Sequence, residues 1–575
     1  MTDNRVPTSA SRRSASSVFI SCAKPQVVID ILGVLIGLFG LIIRIWVLGR
    51  HSINADQAVV GLMAHQILHG HFSAFYWGQN YGGGEPYVVA LVFAIFGQST
   101  FSLGLTPVLL DLVAAVLVWR IGRRLFNNQI GLEAALLFWI FPEVYIWQST
   151  IEYGFRWFVL DLGLGATLLA LRYLSGSTRY RSIEIFGIGL FLGAGWWGSP
   201  EIMYFVLPIA ISFCYRVLRQ HLRVKLSDIA ISIAGALIGA SAWLEVNLGH
   251  HFVSLHSGIQ PDPGILSHLK VFVVHTVPLL LGLQLRVSGN WLFGTTLGPL
   301  INVVAIGIGI VVLAQLVREK EATGLVVFCV VGPIVYGLSP FTWYWADGRY
   351  AVFLAPATAL LVVVSTREIL ASKWIARVLG SRSDLVRPVI VIALGLSLTL
   401  TAASQLAPYL PNGVAETGSA SWTSWTADPS SGFSVVAHKL KSAGIQDLYV
   451  GYWVAYPLMF ASKGTIVASD ISYVRNPGLL ASIEANKNSA WLFLDPTKYR
   501  SGVALTGVSL MDPSCAALSD RCLLPSRFTS YLTRNHIGYR SDYITPFIAI
   551  IPDRPVSLVQ VSTAFHLRAA YVLPK

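Results

Sequence analysis

Long apolar segments recur along this chain, and they leave room for little other than a helical membrane bundle. A helix rises ~1.5 Å per residue, so crossing a hydrocarbon core about 30 Å thick takes roughly 20 mostly apolar residues. By that measure spans are expected near 27–49, 103–122, 129–148, 157–174, 183–199, 202–218, 227–247, 297–317, 323–341, 350–366 and 387–406, eleven in all. Composition agrees. Of 575 residues, 54% are hydrophobic and 12% charged, with a mean hydropathy of +0.62, whereas soluble domains carry about a quarter charged residues. A cytosolic enzyme, a disordered scaffold and a small disulfide-stapled secreted protein are all excluded. The first segment is too long for a cleavable signal peptide and no small-residue cleavage site follows it, so it reads as a retained helix.

The basic residues set the orientation. Lysine and arginine stay on the cytoplasmic side of short loops, and here every second loop is basic. Arg5, Arg12, Arg13 and Lys24 precede the first span, and Arg120, Arg123 and Arg124 follow the second. Arg172, Arg179 and Arg181 follow the fourth; Arg216, Arg219, Arg223 and Lys225 the sixth; Arg318 and Lys320 the eighth; Arg367, Lys373, Arg377, Arg382 and Arg387 the tenth. The net charge of +12 is thus topological, and a nucleic-acid partner is not needed to explain it. The N-terminus is expected in the cytoplasm and the C-terminus outside a plasma (inner) membrane. Residues 265–293 are apolar but interrupted by Lys270, Pro278 and Arg286, and read as an interfacial or re-entrant piece that keeps the loop charges in phase.

Four parts follow: a cytoplasmic tail at 1–26, a membrane module at 27–407, a Pro/Ser/Thr/Trp-rich linker at 408–432, and an extracytoplasmic domain at 433–575. In the last, helix-like pieces such as SVVAHKLKSAG alternate with strand-like ones such as TIVAS, AWLFLD and FIAIIPD, the pattern of a small α/β unit. The expected fold class is a mainly α polytopic helix bundle carrying that domain. Five cysteines are too few for a disulfide framework, although Cys515 and Cys522 would face an oxidising compartment.

The first outer loop, about 50 to 100, is too elaborate for a connector. Asn54 or Asp56 can cap a helix whose Val59, Leu62, Met63, Gln66 and Ile67 fall at helical spacing. An aromatic run, a turn at Gly82–Gly84 and a second apolar helix after Pro86 follow, as interfacial helices would. Ionisable groups at helix ends near a membrane are costly and are functional candidates. On the outer side these are Asp56, Glu85, Glu152, Glu201, Asp347 and Arg349. Each has a plain structural alternative. Asp56 and Glu85 can be helix-start acids, Glu152 can pair with Arg156 four residues on, and Arg349 can pair with Asp347. The aromatics Trp343, Tyr344, Trp345 and Tyr350 suit a headgroup- or sugar-binding surface, or a simple interfacial belt. Gly193, Gly195 and Gly198 match a dinucleotide fingerprint but lie inside a span, where they indicate close helix packing. His65 and His69 have metal-like spacing without the glutamate of H-E-x-x-H. Asp111 and Asp161 are expected to pair inside the bundle.

These residues resemble a family. Asp56-Gln57-Ala58 directly after the first span, the paired helices of the first outer loop, and the phrases DQAVVGLMAHQILHGHF, FYWGQNYGGGEPYVVALVFAIFG, GWWGSPEIMYFVLP, DGRYAVFLAP and GYWVAYPLMFAS are similar to the GT-C superfamily. Its bacterial members related to protein O-mannosyltransferases and lipid A aminoarabinose transferases (family 39-like) use polyprenyl-phosphate-linked sugars. The resemblance implies that Asp56 is the catalytic base and that Arg349-Tyr350 lies near the donor phosphate. Gln79, Tyr81, Glu85, Glu152 and Trp345 are then candidates to hold sugar or acceptor hydroxyls. Many relatives have a second acid where this chain has Gln57, which favours a metal-independent reaction with no required cofactor. The expected partners are a polyprenyl-phosphate sugar donor, a glycan, lipid or protein acceptor, and membrane lipids. One carboxylate suffices chemically, because a phosphate is a good leaving group and the acceptor hydroxyl alone needs a base. A polytopic transporter or flippase, and a non-catalytic envelope scaffold, are the other readings. The absence of a clear internal repeat argues against the transporter.

Overall fold

A computed structural model describes residues 25–49, 53–176, 180–220, 224–255, 264–286, 288–319, 322–340, 342, 345, 348–371, 400–401, 404, 429–471, 474–486, 488–494, 523–544 and 547–565. The expected eleventh span and the linker fall almost wholly outside these residues, as do Asp347, Cys515 and Cys522.

The bundle begins with the helix Pro25–Leu48. Thr100–Leu125 starts at Ser99, whose side chain and that of Ser102 form a reciprocal capping box. Asn127 caps Asn128–Ile140 through the Ile130 amide. Proline lacks the amide a helix needs, so at Pro142 the expected 129–148 segment divides into Asn128–Ile140 and Glu143–Gln148. A 70° bend likewise separates Leu226–Gly239 from Ser241–Gly249. Among the described residues five helices are long and apolar enough to cross a membrane, or six with the bent pair counted as one. Ile265–Leu280 is a shorter apolar helix, followed by a tight loop closed by a Gln284–Trp291 bridge.

Small residues let the helices meet. Arg181–Gly198 packs on Leu226–Gly239 so closely that a Cβ at Gly193 would strike the Ala236 carbonyl, the use of glycine common in membrane helix pairs. Two buried arginines are paired with acids. The Arg44 guanidinium donates to Asp111 at 2.6 Å and to Ser149 Oγ at 2.8 Å, and Arg286 holds Glu143 at 2.6 Å. Asp161, expected to pair, has no hydrogen-bond partner for either carboxyl oxygen among the described residues.

The C-terminal domain is a five-stranded sheet, order β2-β1-β3-β5-β4. Strands β1 (Asp447–Val450), β2 (Val467–Asp470) and β3 (Ala490–Leu494) run parallel, while β4 (Tyr539–Ile544) and β5 (Phe547–Pro552) add antiparallel. Helices Pro429–Ser442, Tyr452–Ala461, Pro477–Ala485, Pro525–Arg534 and Leu558–Ala564 lie between or flank the strands. The apolar core of this domain is continuous with the first outer loop: Phe460 and Leu458 pack in one cluster with Val59, Val60 and Met63. The helix Ala55–Leu68 is therefore no interfacial amphipath. Ala55 and residues 57–64 are all buried, between Glu85–Phe96 and Tyr452–Ala461.

Candidate active site

Asn54 fixes the geometry around Asp56. Its side chain accepts from the Gln57 amide at 2.9 Å and caps the helix, so the capping role proposed for Asp56 belongs to its neighbour. Asp56 is left in the first turn, near the positive end of the helix dipole. The Tyr76 hydroxyl donates to the Asp56 backbone carbonyl at 2.9 Å, which ties the aromatic run to the helix start.

Residues from the far end of the chain meet the Asp56 carboxylate. Arg475 Nη2 lies 3.0 Å from Oδ1, and the Tyr452 hydroxyl donates to the same oxygen. Burial first, and then the Asp56 charge, push the Tyr452 hydroxyl well above the usual tyrosine range, so it remains a donor. Arg475 is held in turn. Its Nη1 donates to the Trp77 carbonyl at 3.1 Å, and its guanidinium lies over the rings of Tyr452 and Tyr76 at 4.9 and 5.1 Å. Sequence reading missed both partners, which lie about 400 residues from Asp56: Tyr452 falls within the phrase GYWVAYPLMFAS but is given no role by it, and Arg475 carries no local motif.

An aromatic path leads from Asp56 to a second cationic group. The Tyr76 amide bonds the Tyr81 carbonyl, Tyr81 meets Phe155 edge-on at 5.2 Å, and Arg156 lies over Phe155 at 4.6 Å and Tyr350 at 5.0 Å. Arg349 lies over Tyr153 at 5.1 Å and Tyr350 at 5.6 Å. Tyr81 is within electrostatic reach of both Arg156 and Arg475, so this one side chain connects the two groups. Arg156 is 3.8 Å from Glu201, and Arg349 is within electrostatic reach of that acid. Arg156 and Arg349 thus gather around Glu201, and the Glu85 carboxyl is also within electrostatic reach of Arg156. Arg156 was missed as a phosphate candidate because its spacing suggested a pair with Glu152.

The structure gives Glu152 a different partner. Glu85 and Glu152, both fully buried, act on each other, and Glu85 Oε1 and Glu152 Oε2 accept from no described donor. Glu85 Oε2 accepts from the Phe158 amide at 3.1 Å and Glu152 Oε1 from the Gly154 amide at 2.7 Å. Burial raises both, and the Glu85 charge raises Glu152 further, well above the usual carboxyl range. The pair is thereby disfavoured in its doubly charged form. The glycine turn allows this approach: a Cβ at Gly83 would overlap the Ala74 carbonyl, and Gly82 adopts φ +89°.

Other candidates lie apart. Gln79 gives its backbone amide to the Tyr76 carbonyl, in a turn whose Gly78 abuts Arg475. Trp345 stacks on His275 at 4.0 Å, against the loop at Gly289. The rings of His65 and His69 are 4.4 Å apart, but no group of three or more His, Cys, Asp or Glu converges as metal ligands among the described residues.

Comparison with known proteins bears on this geometry. Residues 84–244 match the family model described as dolichyl-phosphate-mannose-protein mannosyltransferase. No curated protein matches the sequence. Among solved structures, ArnT from Cupriavidus metallidurans bound to undecaprenyl phosphate superposes with a TM-score of 0.55 at 11% identity, covering 92% of this chain and 97% of ArnT. Its apo form gives 0.56 at 12% identity, with 92% and 98% covered. The archaeal oligosaccharyltransferase AglB from Archaeoglobus fulgidus, in complex with an inhibitory peptide and a dolichol-phosphate, gives 0.51 at 12%, covering 91% of this chain and 74% of AglB. The chain is a multi-pass membrane protein with the GT-C fold, and it resembles the protein mannosyltransferase and ArnT relatives.

Proposed function

We propose that this protein is an inverting glycosyltransferase that moves a sugar from a polyprenyl-phosphate donor to a cell-envelope acceptor at the outer face of the membrane. The observation that carries the reading is the convergence of the Asp56 site and the Arg156–Arg349 pair on Tyr81, which is within electrostatic reach of both Arg475 and Arg156. In this reading Asp56 is the base, and Arg156 and Arg349 supply the phosphate-binding charge.

The reaction balances without another group. Asp56 takes the proton from the acceptor hydroxyl, and the acceptor oxygen bonds to the anomeric carbon. The carbon–oxygen bond to phosphate breaks, and its electron pair leaves with the polyprenyl phosphate. That phosphate gains negative charge as it departs, and the two guanidiniums stabilise it. Attack opposite the leaving group inverts the anomeric centre. A protonated carboxyl is not needed at the leaving oxygen, unlike in a glycosidase. The Glu85–Glu152 pair instead holds the wall formed by the glycine turn and the Gly154–Phe158 segment. The donor's apolar tail explains why such a reaction is built into a bundle. The resemblance to proteins solved with undecaprenyl phosphate and dolichol-phosphate supports this donor class.

The test uses the source cell's own membranes, which supply the native donor and acceptor. Deleting the gene is expected to remove a labelled sugar from the envelope, and the full-length protein to restore it. The Asp56→Asn protein, present at normal level, is expected to restore none. An unchanged envelope after deletion contradicts the reading, and full restoration by Asp56→Asn removes Asp56 as base.

A further inference from the structure

We propose that the C-terminal domain completes the active site: Arg475 and Tyr452 are positioning residues that pin Oδ1 of Asp56 and leave Oδ2 to take the acceptor proton. This deepens the reading above and rests on it.

Three observations support the assignment. Both contacts fall on one oxygen, and no described residue hydrogen-bonds Oδ2. The Asp56 side chain stays 25% exposed while that of Arg475 is 10% exposed, so the carboxylate keeps an accessible face although Oδ1 is engaged. A carboxylate held at one oxygen cannot rotate its other oxygen out of line, and positioning of this kind is a large part of a rate enhancement.

The second observation is where the two residues come from. Tyr452 follows the carboxyl end of β1 and Arg475 the loop beyond the carboxyl end of β2, and these strands are parallel neighbours in register, Val450 opposite Asp470. Loops at the carboxyl ends of parallel strands are where open α/β sheets place their functional groups. The Arg475 amide also donates to the Tyr456 hydroxyl at 3.3 Å, which fixes the loop to the helix that carries Tyr452.

Third, the domain seats on the loop that carries the base. The Phe460 ring covers Gly61, where any Cβ would collide with it, and packs near Phe93 at 6.2 Å. Docking and alignment of the carboxylate are thus one event: lifting the domain away removes both partners of Oδ1 together.

The experiment compares full-length Arg475→Gln, Arg475→Lys and Tyr452→Phe proteins in membranes of the deletion strain, reading initial rates of labelled-sugar incorporation, protein level and thermal midpoint. Arg475→Gln is expected to lose about tenfold to 10²-fold in rate. Arg475→Lys, which keeps the charge, is expected to recover part of that rate. Tyr452→Phe, which loses only a hydroxyl from a packed ring, is expected to fall about tenfold at an unchanged thermal midpoint. If Arg475→Gln fails to accumulate, the Tyr452→Phe and Arg475→Lys rates decide. Rates equal to wild type overturn the proposal. Faster transfer overturns it too, since it would make the ion pair a lock that the acceptor must break. An inactive Asp56→Asn beside a fully active Arg475→Gln refutes the positioning role alone, an active Asp56→Asn removes the base on which it acts, and an unchanged envelope after deletion refutes the glycosyltransferase reading beneath both.

Discussion

Two acidic sites between the bundle helices differ in everything except the carboxyl group. Asp56 stands partly exposed against an arginine and a tyrosine hydroxyl. Glu85 and Glu152 are sealed from water, and burial pushes both carboxyls upward. In the proposed reaction the first takes a proton from the acceptor that enters, and the second serves as a strut. Environment separates the two, as it does wherever one fold runs two carboxyls to different ends.

The sharpest way to break this comparison is to make the same change on both sides of it. Asp56→Asn is expected to reduce transfer by about 10² to 10⁴-fold, the usual contribution of a general base. Glu152→Gln, whose amide can still donate to Glu85, is expected to retain most of the activity. The reverse result would exchange the roles. A third acid extends the contrast to the bundle interior. Arg44→Ala leaves Asp111 buried without its cation and is expected to cost about 3–5 kcal/mol, read as a lower unfolding temperature of the detergent-purified protein. Next, Arg349→Ala is expected to slow transfer about 10²-fold, as loss of one charge stabiliser does, and Arg349→Lys to recover only part of it. The smallest effect is a pH dependence. The folded values of Glu85 and Glu152 are raised above those of the unfolded chain, so their stabilisation is complete below the ordinary carboxyl range. It fades as pH rises through the raised folded values. Thermal midpoints should therefore fall on the alkaline side for wild type and less for Glu152→Gln.

The helical bundle was legible in the sequence, because apolar length is a local signal. The alternation of the C-terminal domain could also be read, apart from β4, whose YRSDYI is mostly exposed and polar, and the helix Leu558–Ala564. Local reasoning failed where contacts cross the chain. Ala55–Leu68 has the spacing of an interfacial helix, yet Phe460 and its neighbours cover it. Arg156 at i+4 suggested a partner for Glu152, but burial brought Glu85 there instead. No sequence pattern connects Asp56 with Arg475. The link exists only because a sheet folded from the last quarter of the chain sets its strand ends against a loop from the first.

The most direct measurement is a structure of the full-length protein in a lipid nanodisc with undecaprenyl phosphate. The account predicts the phosphate within hydrogen-bond distance of the Arg349 or Arg156 guanidinium, on the side that faces Asp56. A phosphate seated away from both guanidiniums, or separated from Asp56 by packed protein, would contradict it.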